Sequence, residues 1–178
     1  MNRNQTGTGR VEFVRGDIAA QPDIAVVVNA ANAALGPGGG VAGALHRVAG
    51  PALAAACRPH APLAPGQAVI TDAFGLPNRR VTHCLGPVYG RDRPAAHLLA
   101  QCYREALRLA EAEGLGSIAF PALSTGAFGY PVEAATEIAL GSIAASMPQL
   151  HSIQCIRFVL ASEAVRRLHE EIWRSLNP

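Results

Sequence analysis

Two glycine-rich loops and two asparagines are the residues of this chain whose types and spacing could do chemistry. The first loop follows the apolar run VVV at residues 26–28, and it contains Asn29, Asn32 and glycines at positions 36, 38, 39 and 40. The second loop, PALSTGAFGYP, occupies residues 121–131. Glycines let backbone N–H groups approach a ligand closely, and the N-terminus of a helix favours negative charge. The two loops together indicate a cradle for an anion, and a diphosphate would suit it.

The first loop lacks the pattern of a Rossmann nucleotide site. Gly38, Gly40 and Gly43 match GxGxxG, but the Rossmann glycines follow their strand immediately, and these do not. The fingerprint also requires an acidic residue roughly 20 positions further on, and no Asp or Glu lies between Asp23 and Asp72. The sequence therefore argues against a dinucleotide bound in the Rossmann manner.

The same acid-free stretch favours an anionic ligand. It places Arg47 and Arg58 near the first loop and holds no carboxylate that would repel an anion. Judged alone, the first loop fits a connection shaped only by packing equally well. Ser124, Thr125 and Gly126 of the second loop add hydroxyls and accessible N–H groups. Their presence favours the interpretation in which both loops grip one diphosphate.

Four other side chains have a structural interpretation beside a functional one. Phe128 lies between glycines at the tip of the second loop, where a ring favours stacking on a ligand over filling a core. Asp17 follows the first predicted strand, so a role as a turn or cap residue competes with ligand contact. His46 lies within a predicted helix and His83 on the apolar face of a predicted strand. Both histidines are more typical of structural residues than of a site.

The composition excludes several kinds of chemistry. All 15 basic residues are arginine, so the chain has no lysine for a P-loop, a Schiff base or a Ser–Lys dyad. The cysteines at positions 57, 84, 102 and 155 form no CxxC pair, and we interpret them as structural thiols. The formal net charge of +2 does not by itself indicate nucleic-acid binding. We expect no cofactor, no metal site and no nucleic-acid partner.

Predicted strands alternate with predicted helices along the chain. The apolar and turn patterns predict strands at 10–15, 26–29, 67–72, 81–85, 117–120 and 153–160. They predict helices at 41–48, 52–57, 94–113 and 132–146, and a last helix capped by Ser162 with an apolar stripe of Val165, Leu168, Ile172 and Leu176. This alternation predicts a three-layer α/β/α domain with a largely parallel sheet. Ligands bind such sheets beyond the carboxyl ends of the strands, where both glycine loops fall.

The chain is expected to form one domain over residues 10–178, preceded by a loose polar segment at 1–9. No internal repeat or linker interrupts it, and 178 residues suit a single core. No apolar run approaches the roughly 20 residues that a membrane span needs, and no signal peptide precedes the first strand. We expect a cytoplasmic protein that does not contact a membrane and is a monomer.

Four segments resemble the signature of the macrodomain family, in the order in which that family carries them. They are GDI at residues 16–18, VVNAAN at 27–32, GGGVAGALH at 38–46 and STGAFGYP at 124–131. A fifth, VTHCLGPVYG at 81–90, is similar to the MacroD-type branch. The resemblance covers nearly the whole chain and implies a three-layer α/β/α macrodomain with a mixed, largely parallel sheet. It implies a partner, ADP-ribose or ADP-ribosylated protein, and for many MacroD-type members hydrolysis of ADP-ribosyl esters or O-acetyl-ADP-ribose.

The resemblance also implies a role for each matched residue. Asp17 would accept a hydrogen bond from the adenine amino group, with the Ile18 backbone beside it. Asn32 would bind the distal ribose, and Asn29 would brace the loop. The residues that would enclose the diphosphate and distal ribose are Gly38, Gly39, Gly40, Val41, Ser124, Thr125, Gly126, Ala127 and Phe128. In a hydrolase, Asn32 and Phe128 would hold the distal ribose while a diphosphate-bound water attacks the ester.

Two positions depart from the family pattern. MacroD-type hydrolases usually carry Asp within GGGVDG, and here that position is Ala42. The family's last strand often ends in an aromatic residue that stacks on adenine, and here Leu160 is followed by Ala161 and Ser162. The first departure favours a reader that binds ADP-ribose without turnover, whereas the surrounding motif favours an ester hydrolase. A third hypothesis is a nucleic-acid or poly(ADP-ribose) binder that uses Arg91, Arg93, Arg166 and Arg167.

Overall fold

The apolar run at residues 26–28 forms a central strand, as its sequence predicts. In the computed structural model, which describes residues 9–176, Val26, Val27 and Val28 of strand β2 (Val26–Ala30) are fully buried. Val26 and Val28 pack into one hydrophobic core and Val27 into a second, because successive side chains of a strand point to opposite faces. Both faces of the sheet are therefore covered by helices.

The sheet has six strands in the order β1-β6-β5-β2-β4-β3. The other five strands are β1 Arg10–Arg15, β3 Ala68–Asp72, β4 Arg80–Cys84, β5 Ser117–Phe120 and β6 Cys155–Leu160. All neighbours are parallel except β3 and β4, which are antiparallel. The predicted mixed, largely parallel sheet is confirmed. The last strand begins two residues later than predicted, because the N–H groups of Gln154 and Cys155 both donate to the Gly116 carbonyl.

Five helices cover the two faces of the sheet. They are α1 Gly40–Ala49, α2 Pro51–Cys57, α3 Ala95–Ala112, α4 Val132–Ser146 and α5 Glu163–Leu176. Helices α3, α4 and α5 pack side by side on one face, and α1 and α2 lie on the other. None of the helices between residues 9 and 176 is long and apolar enough to cross a membrane. Residues 1–8 of the predicted loose segment lie outside the described residues.

The larger core also fixes the second glycine loop. Tyr103, Phe120 and Phe158 are buried with ring centroids 5.1 Å and 5.7 Å apart in successive pairs. The Tyr103 hydroxyl accepts a hydrogen bond from the N–H of Leu123 at 3.3 Å. Since Leu123 immediately precedes Ser124, the core holds the start of the loop in place. The four cysteines are buried and free, which agrees with structural thiols.

Helix α5 differs in part from its predicted pattern. The Ser162 hydroxyl accepts the N–H of Val165 at 3.3 Å, so the predicted cap is confirmed. Leu176, the last residue of the predicted apolar stripe, is by contrast 45% exposed, so the stripe is not covered at its C-terminal end. The most buried side chain of the helix is His169, which packs between the rings of Phe13 and Phe158. His169 lies four residues after Val165, so it occupies a position of the stripe that hydropathy alone does not indicate.

Candidate functional site

A cavity of about 510 Å³ opens at the carboxyl ends of β2, β5 and β6. Its volume is typical of small-molecule sites. The two glycine-rich loops and the turn after β4 complete its walls. The lining residues are 30–32, 38–42, 86, 121–128 and 159–161. The structure thus brings both predicted loops to one cavity, at the edge of the sheet where ligands of α/β proteins bind.

The described residues of the cavity wall include no titratable side chain. Among the described residues that line it, only Asn32, Ser124 and Thr125 have polar side chains. Ala42 lies in this wall and is 5% exposed, so its methyl group occupies the position at which the family usually carries a carboxylate. The wall therefore offers hydrogen bonds and backbone dipoles to a ligand, but no general base.

Asn32 folds the first loop back on itself. Its Oδ1 accepts the N–H of Gly36 and its Nδ2 donates to the Gly36 carbonyl, each at 3.1 Å. Gly38 passes so close that a Cβ there would lie 3.3 Å from the Asn32 Nδ2. Asn32 therefore both lines the cavity and fixes the approach of the glycines. The sequence analysis expects Asn29 to brace the loop, but among the described residues it is the Asn32 side chain that bonds to the loop backbone.

The glycine triplet starts helix α1 against the cavity. Gly39 is the N-cap and provides no capping side chain, and the first turn contains no acidic residue. Open space surrounds Gly39 and Gly40 where a Cβ would stand, and Gly40 has φ of 54°. The free N–H groups of this turn carry the partial positive charge of the helix N-terminus. This arrangement suits an anion, as the sequence predicts.

The second loop lines the cavity with Ser124, Thr125 and Gly126. The Thr125 hydroxyl donates to the Ala122 carbonyl at 2.8 Å, and the N–H of Gly129 donates to Gly126 at 3.0 Å. Ala127 lines the cavity beside the half-buried Phe128. The Phe128 carbonyl accepts the N–H of Tyr89 at 2.9 Å, which ties the loop to the turn after β4.

Gly86 is a cavity residue to which the sequence analysis assigns no role. A Cβ at Gly86 would clash with the Ser124 Oγ, so a side chain at this position would force the Ser124 hydroxyl to move. Ser124 itself has φ of 65°, and its buried hydroxyl has no hydrogen-bond partner within residues 9–176. The available signal was the motif VTHCLGPVYG, which matches the family but does not reveal that its glycine meets the second loop.

Asp17 and Ile18 lie at the β1–β6 end of the site, beside rather than inside the cavity wall. Asp17 is exposed, and its Oδ1 accepts the N–H of Ala19 at 2.9 Å, so its interpretation as a turn residue is confirmed. Ile18 is buried in the second core. The N–H of Gly16 donates to the Leu160 carbonyl at 3.2 Å, which fixes this turn to the strand end that lines the cavity.

The two ends of the cavity differ in aromatic content. Phe128 is the one aromatic residue among the described residues that line the cavity. At the other end the wall consists of Val159, Leu160 and the exposed Ala161. No ring from the cavity wall covers the position beside Asp17.

Asn29 does not line the cavity. It is 1% exposed, and its Nδ2 lies 3.1 Å from the Nδ1 of His83. The His83 Nε2 in turn lies 2.9 Å from the Thr71 hydroxyl and 3.5 Å from the Cys57 Sγ. Asn29 thus braces β2 against β4 beneath the first loop, and the predicted core role of His83 is confirmed.

Burial alters the acid–base behaviour of this cluster. Burial, with smaller contributions from His46 and His60, lowers the pKa of His83 from 6.5 to about 4. Burial raises the pKa of the Cys57 thiol to about 11, and it lowers the pKa of His46. Neither ring nitrogen of His46 has a hydrogen-bond partner among the described residues. Both histidines and the thiol are therefore neutral near pH 7.

The surface arginines of the nucleic-acid hypothesis are mostly neutralised. Arg91 pairs with Asp92, while Arg166 and Arg167 pair with Glu163. These pairs separate the arginines into local contacts instead of one positive surface. The structure therefore gives no support to that hypothesis.

Comparisons with known proteins agree with the fold and the cavity. The family described as Macro domain matches residues 28–139. The chain is 44% identical over 169 residues to a Klebsiella pneumoniae protein named O-acetyl-ADP-ribose deacetylase, with 92% of this chain and 96% of that protein covered. It is 46% identical over 156 residues to a Streptomyces griseus macro domain-containing protein, with coverages of 84% and 86%.

Solved structures show the same architecture. A mutant macrodomain of Oceanobacillus iheyensis with ADPR superposes with a TM-score of 0.90 at 37% identity, covering 99% of this chain and 96% of that one. A Trypanosoma brucei macrodomain in complex with ADP-ribose gives a TM-score of 0.82 at 37% identity, with coverages of 90% and 68%. Six strands in a largely parallel sheet, helices on both faces and a cavity at the strand ends define an α/β ligand-binding domain. This chain belongs to the macrodomain family.

Proposed function

We propose that this chain binds ADP-ribose in the cavity and hydrolyses carboxylate esters of ADP-ribose, O-acetyl-ADP-ribose among them. One observation carries the proposal: both glycine loops line a single cavity whose described lining residues include no carboxylate. Helix α1, which begins in the first loop, also has no capping side chain at its N-terminus. Relatives 42–44% identical over more than nine-tenths of this chain bear the name O-acetyl-ADP-ribose deacetylase. Their cover of nearly the whole chain supports carrying the activity over.

The site residues divide the ligand among them. The diphosphate lies between the first turn of α1, at Gly39, Gly40 and Val41, and the loop of Ser124, Thr125 and Gly126. Asn32 and Phe128 hold the distal ribose, and Asp17 accepts a hydrogen bond from the adenine amino group. Asn29 acts indirectly, because its side chain contacts His83 and so braces the strand β2 that leads into the loop of Asn32.

The proposed hydrolysis uses positioning rather than a side-chain base. A water bound to the diphosphate adds to the acyl carbon of the ester, and the bond from that carbon to the ribose oxygen breaks. One proton of the water ends on the departing ribose hydroxyl, so the products are ADP-ribose and a carboxylic acid. The ribose oxygen departs readily from an ester, and holding the reactants in place lowers the barrier to hydrolysis. Without a carboxylate at position 42, turnover is expected to be slow.

Three substrates test this proposal. The chain is incubated with O-acetyl-ADP-ribose, with a protein carrying ADP-ribose on glutamate, and with one carrying it on arginine, and released ADP-ribose is quantified. We expect release from both esters and none from the arginine linkage, whose guanidinium is a poor leaving group. No release from either ester, measured at enzyme concentrations above that of the substrate, would contradict the hydrolase proposal.

The second candidate function is a reader of ADP-ribose. Ala42 and the absence of titratable groups from the described cavity wall favour it, because binding needs no base. Calorimetry with ADP-ribose separates the candidates when it is combined with the release assay. Binding with release supports the hydrolase, and binding without release supports the reader.

A further inference from the structure

An arginine outside the cavity, Arg157, is linked through the side chain of Gln21 to the turn that carries Asp17. We propose that Arg157 and Gln21 are positioning residues for adenine recognition, which hold the Asp17 carboxylate where it accepts the adenine amino group. This inference rests on the proposed function, in which Asp17 contacts adenine. Neither residue lines the cavity, and neither belongs to a motif that the sequence analysis singles out.

Gln21 is the direct link to Asp17. Its Nε2 donates to the Asp17 carbonyl at 2.8 Å, and its Oε1 accepts from the Arg157 Nη1 at 2.9 Å. The side chain is 7% exposed, so these bonds have little competition from water. The Asp17 carbonyl also accepts the N–H of Ala20 at 3.1 Å. Both ends of the Gln21 amide are therefore used to fix one turn.

Arg157 is itself held rigidly. Its guanidinium makes two hydrogen bonds to Asp23, at 2.7 Å and 2.9 Å, and one to Glu12 at 2.8 Å. The side chain is only 13% exposed. A planar guanidinium with paired carboxylates has a fixed orientation, which a lysine ammonium lacks. Hydrogen bonds from Arg157 lower the pKa of Asp23. Burial raises the pKa of Glu12, but the hydrogen bonds and charges of Arg157 and Arg10 together outweigh burial and lower it.

The same network joins this turn to the cavity wall. Val159 and Leu160 follow Arg157 on β6 and line the cavity. Gly16 lies directly over the network, since a Cβ there would be 3.6 Å from the Gln21 Nε2 and 3.7 Å from the Val159 Cγ1. Asp17 and the wall on which adenine would rest thus form one unit with Arg157 at its centre.

Such positioning matters because the described residues that line this end of the cavity include no ring to orient adenine. Asp17 is exposed and one of its oxygens already accepts the N–H of Ala19. The remaining oxygen must face the ligand for recognition, and a preformed turn avoids the entropy cost of ordering it on binding. Gln21 and Arg157 supply that order from outside the ligand's reach.

The test compares two ligands that differ at the group Asp17 reads. Dissociation constants are measured for ADP-ribose and for its hypoxanthine counterpart, in which an oxygen replaces the adenine amino group. Gln21→Met keeps the volume and removes both hydrogen bonds, and Arg157→Lys keeps the charge and removes the planar fork. Arg80→Met is the matched control, because Arg80 bridges Asp72 and Glu113 and does not line the cavity.

We expect the parent to prefer ADP-ribose, and Gln21→Met and Arg157→Lys to reduce that preference about threefold to tenfold, the range of one misplaced hydrogen bond. Binding of the hypoxanthine ligand should change less than twofold, and Arg80→Met should leave the preference unchanged. Loss of affinity for both ligands alike, or an unchanged preference in both variants, would overturn the inference. A parent that binds ADP-ribose without preference would also overturn it, while leaving the proposed binding intact. A parent that binds neither ligand would contradict the proposed function itself.

Discussion

Different interactions fix the residues at the two ends of the cavity. At the β2–β4 end, Asn32, Phe128 and Gly86 line the cavity. The buried side chains of Asn29 and His83, which support the first loop at this end, are neutral. At the β1–β6 end the wall is Val159, Leu160 and Ala161, and the polar group that would read adenine stands outside it on a turn. The first end relies on shape and close packing, and the second on the partly buried Arg157 and its two carboxylate partners. Substitutions can therefore test each end of the cavity separately.

The largest effect is expected where both ends meet, at the diphosphate. Gly39→Glu and Gly126→Glu each place a negative side chain in the open space beside the loops, and we expect ADP-ribose affinity to fall by more than about a hundredfold. Calorimetry measures the affinity, and circular dichroism checks the fold. Gly141→Glu, at a helix position with equally open space, is the control. Unchanged binding in both loop variants would place the diphosphate elsewhere.

Acid is expected to weaken the β2–β4 end first. The folded pKa of His83 is about 4, below its ordinary 6.5, so the unfolded chain gains a proton at a pH where the folded chain does not. The associated stability is complete above pH 6.5 and is lost as pH falls towards 4, by about 3 kcal/mol at most. His46 and His169, whose pKa values burial also lowers, act in the same direction.

Urea unfolding at pH 7 and pH 4.5 measures this loss. His83→Gln should shrink the difference between the two pH values, whereas the exposed His97→Gln should leave it as in the parent. The ion pairs of Glu12 and Asp23 lose stability only below their ordinary pKa values of 4.5 and 3.8. If His83→Gln keeps the full pH dependence, the acid sensitivity does not reside in this cluster.

Removing the polar group of the β1–β6 end gives the next effect. Asp17→Ala deletes the carboxylate that would accept the adenine amino group, and we expect a tenfold to hundredfold loss of ADP-ribose affinity, about 1.5 to 3 kcal/mol. Calorimetry is the measurement. Asp72→Ala is the control, because Asp72 lies on the edge strand β3 and pairs with Arg80 of β4. Equal affinities of Asp17→Ala and the parent would remove Asp17 from the site.

The smallest effect comes from supplying the ring that this end lacks. Ala161→Phe places an aromatic side chain beside the exposed strand end, and stacking on adenine should tighten ADP-ribose binding about threefold to tenfold. Ribose 5-phosphate, which has no base, serves as the control ligand and should bind as it does to the parent. A gain for both ligands would show that the ring acts on something other than adenine.

The sequence predicts the fold well because local pattern and tertiary packing agree here. The run VVV predicts a doubly buried strand, and residues 117–120 and 132–146 form their elements with the predicted bounds. Both glycine loops fall at the strand ends because strand-helix alternation places them there. The predicted apolar stripe of the last helix is not buried at Leu176, because hydropathy does not show where a helix stops contacting the core.

The site is predictable only where the ligand touches sequence motifs. The contact of Gly86 with Ser124 joins two segments far apart in the chain, and nothing in either segment predicts the pairing. Arg157 and Gln21, which link to Asp17, are 136 residues apart in the chain. Their hydrogen bond therefore depends on β6 lying beside β1. Asn29 and Asn32 look alike in sequence, and only the direction of each side chain separates a brace from a cavity residue.

The central claim is that a cavity without a side-chain base still hydrolyses an ADP-ribosyl ester. Its most direct test is the rate of ADP-ribose release from O-acetyl-ADP-ribose by the parent and by Ala42→Asp, each shown by calorimetry to bind ADP-ribose. We predict slow but measurable release by the parent, and a rate about tenfold to a hundredfold higher with the added carboxylate acting as a general base. If both proteins bind ADP-ribose and neither releases it from the ester, the chain is a reader and the claim is wrong.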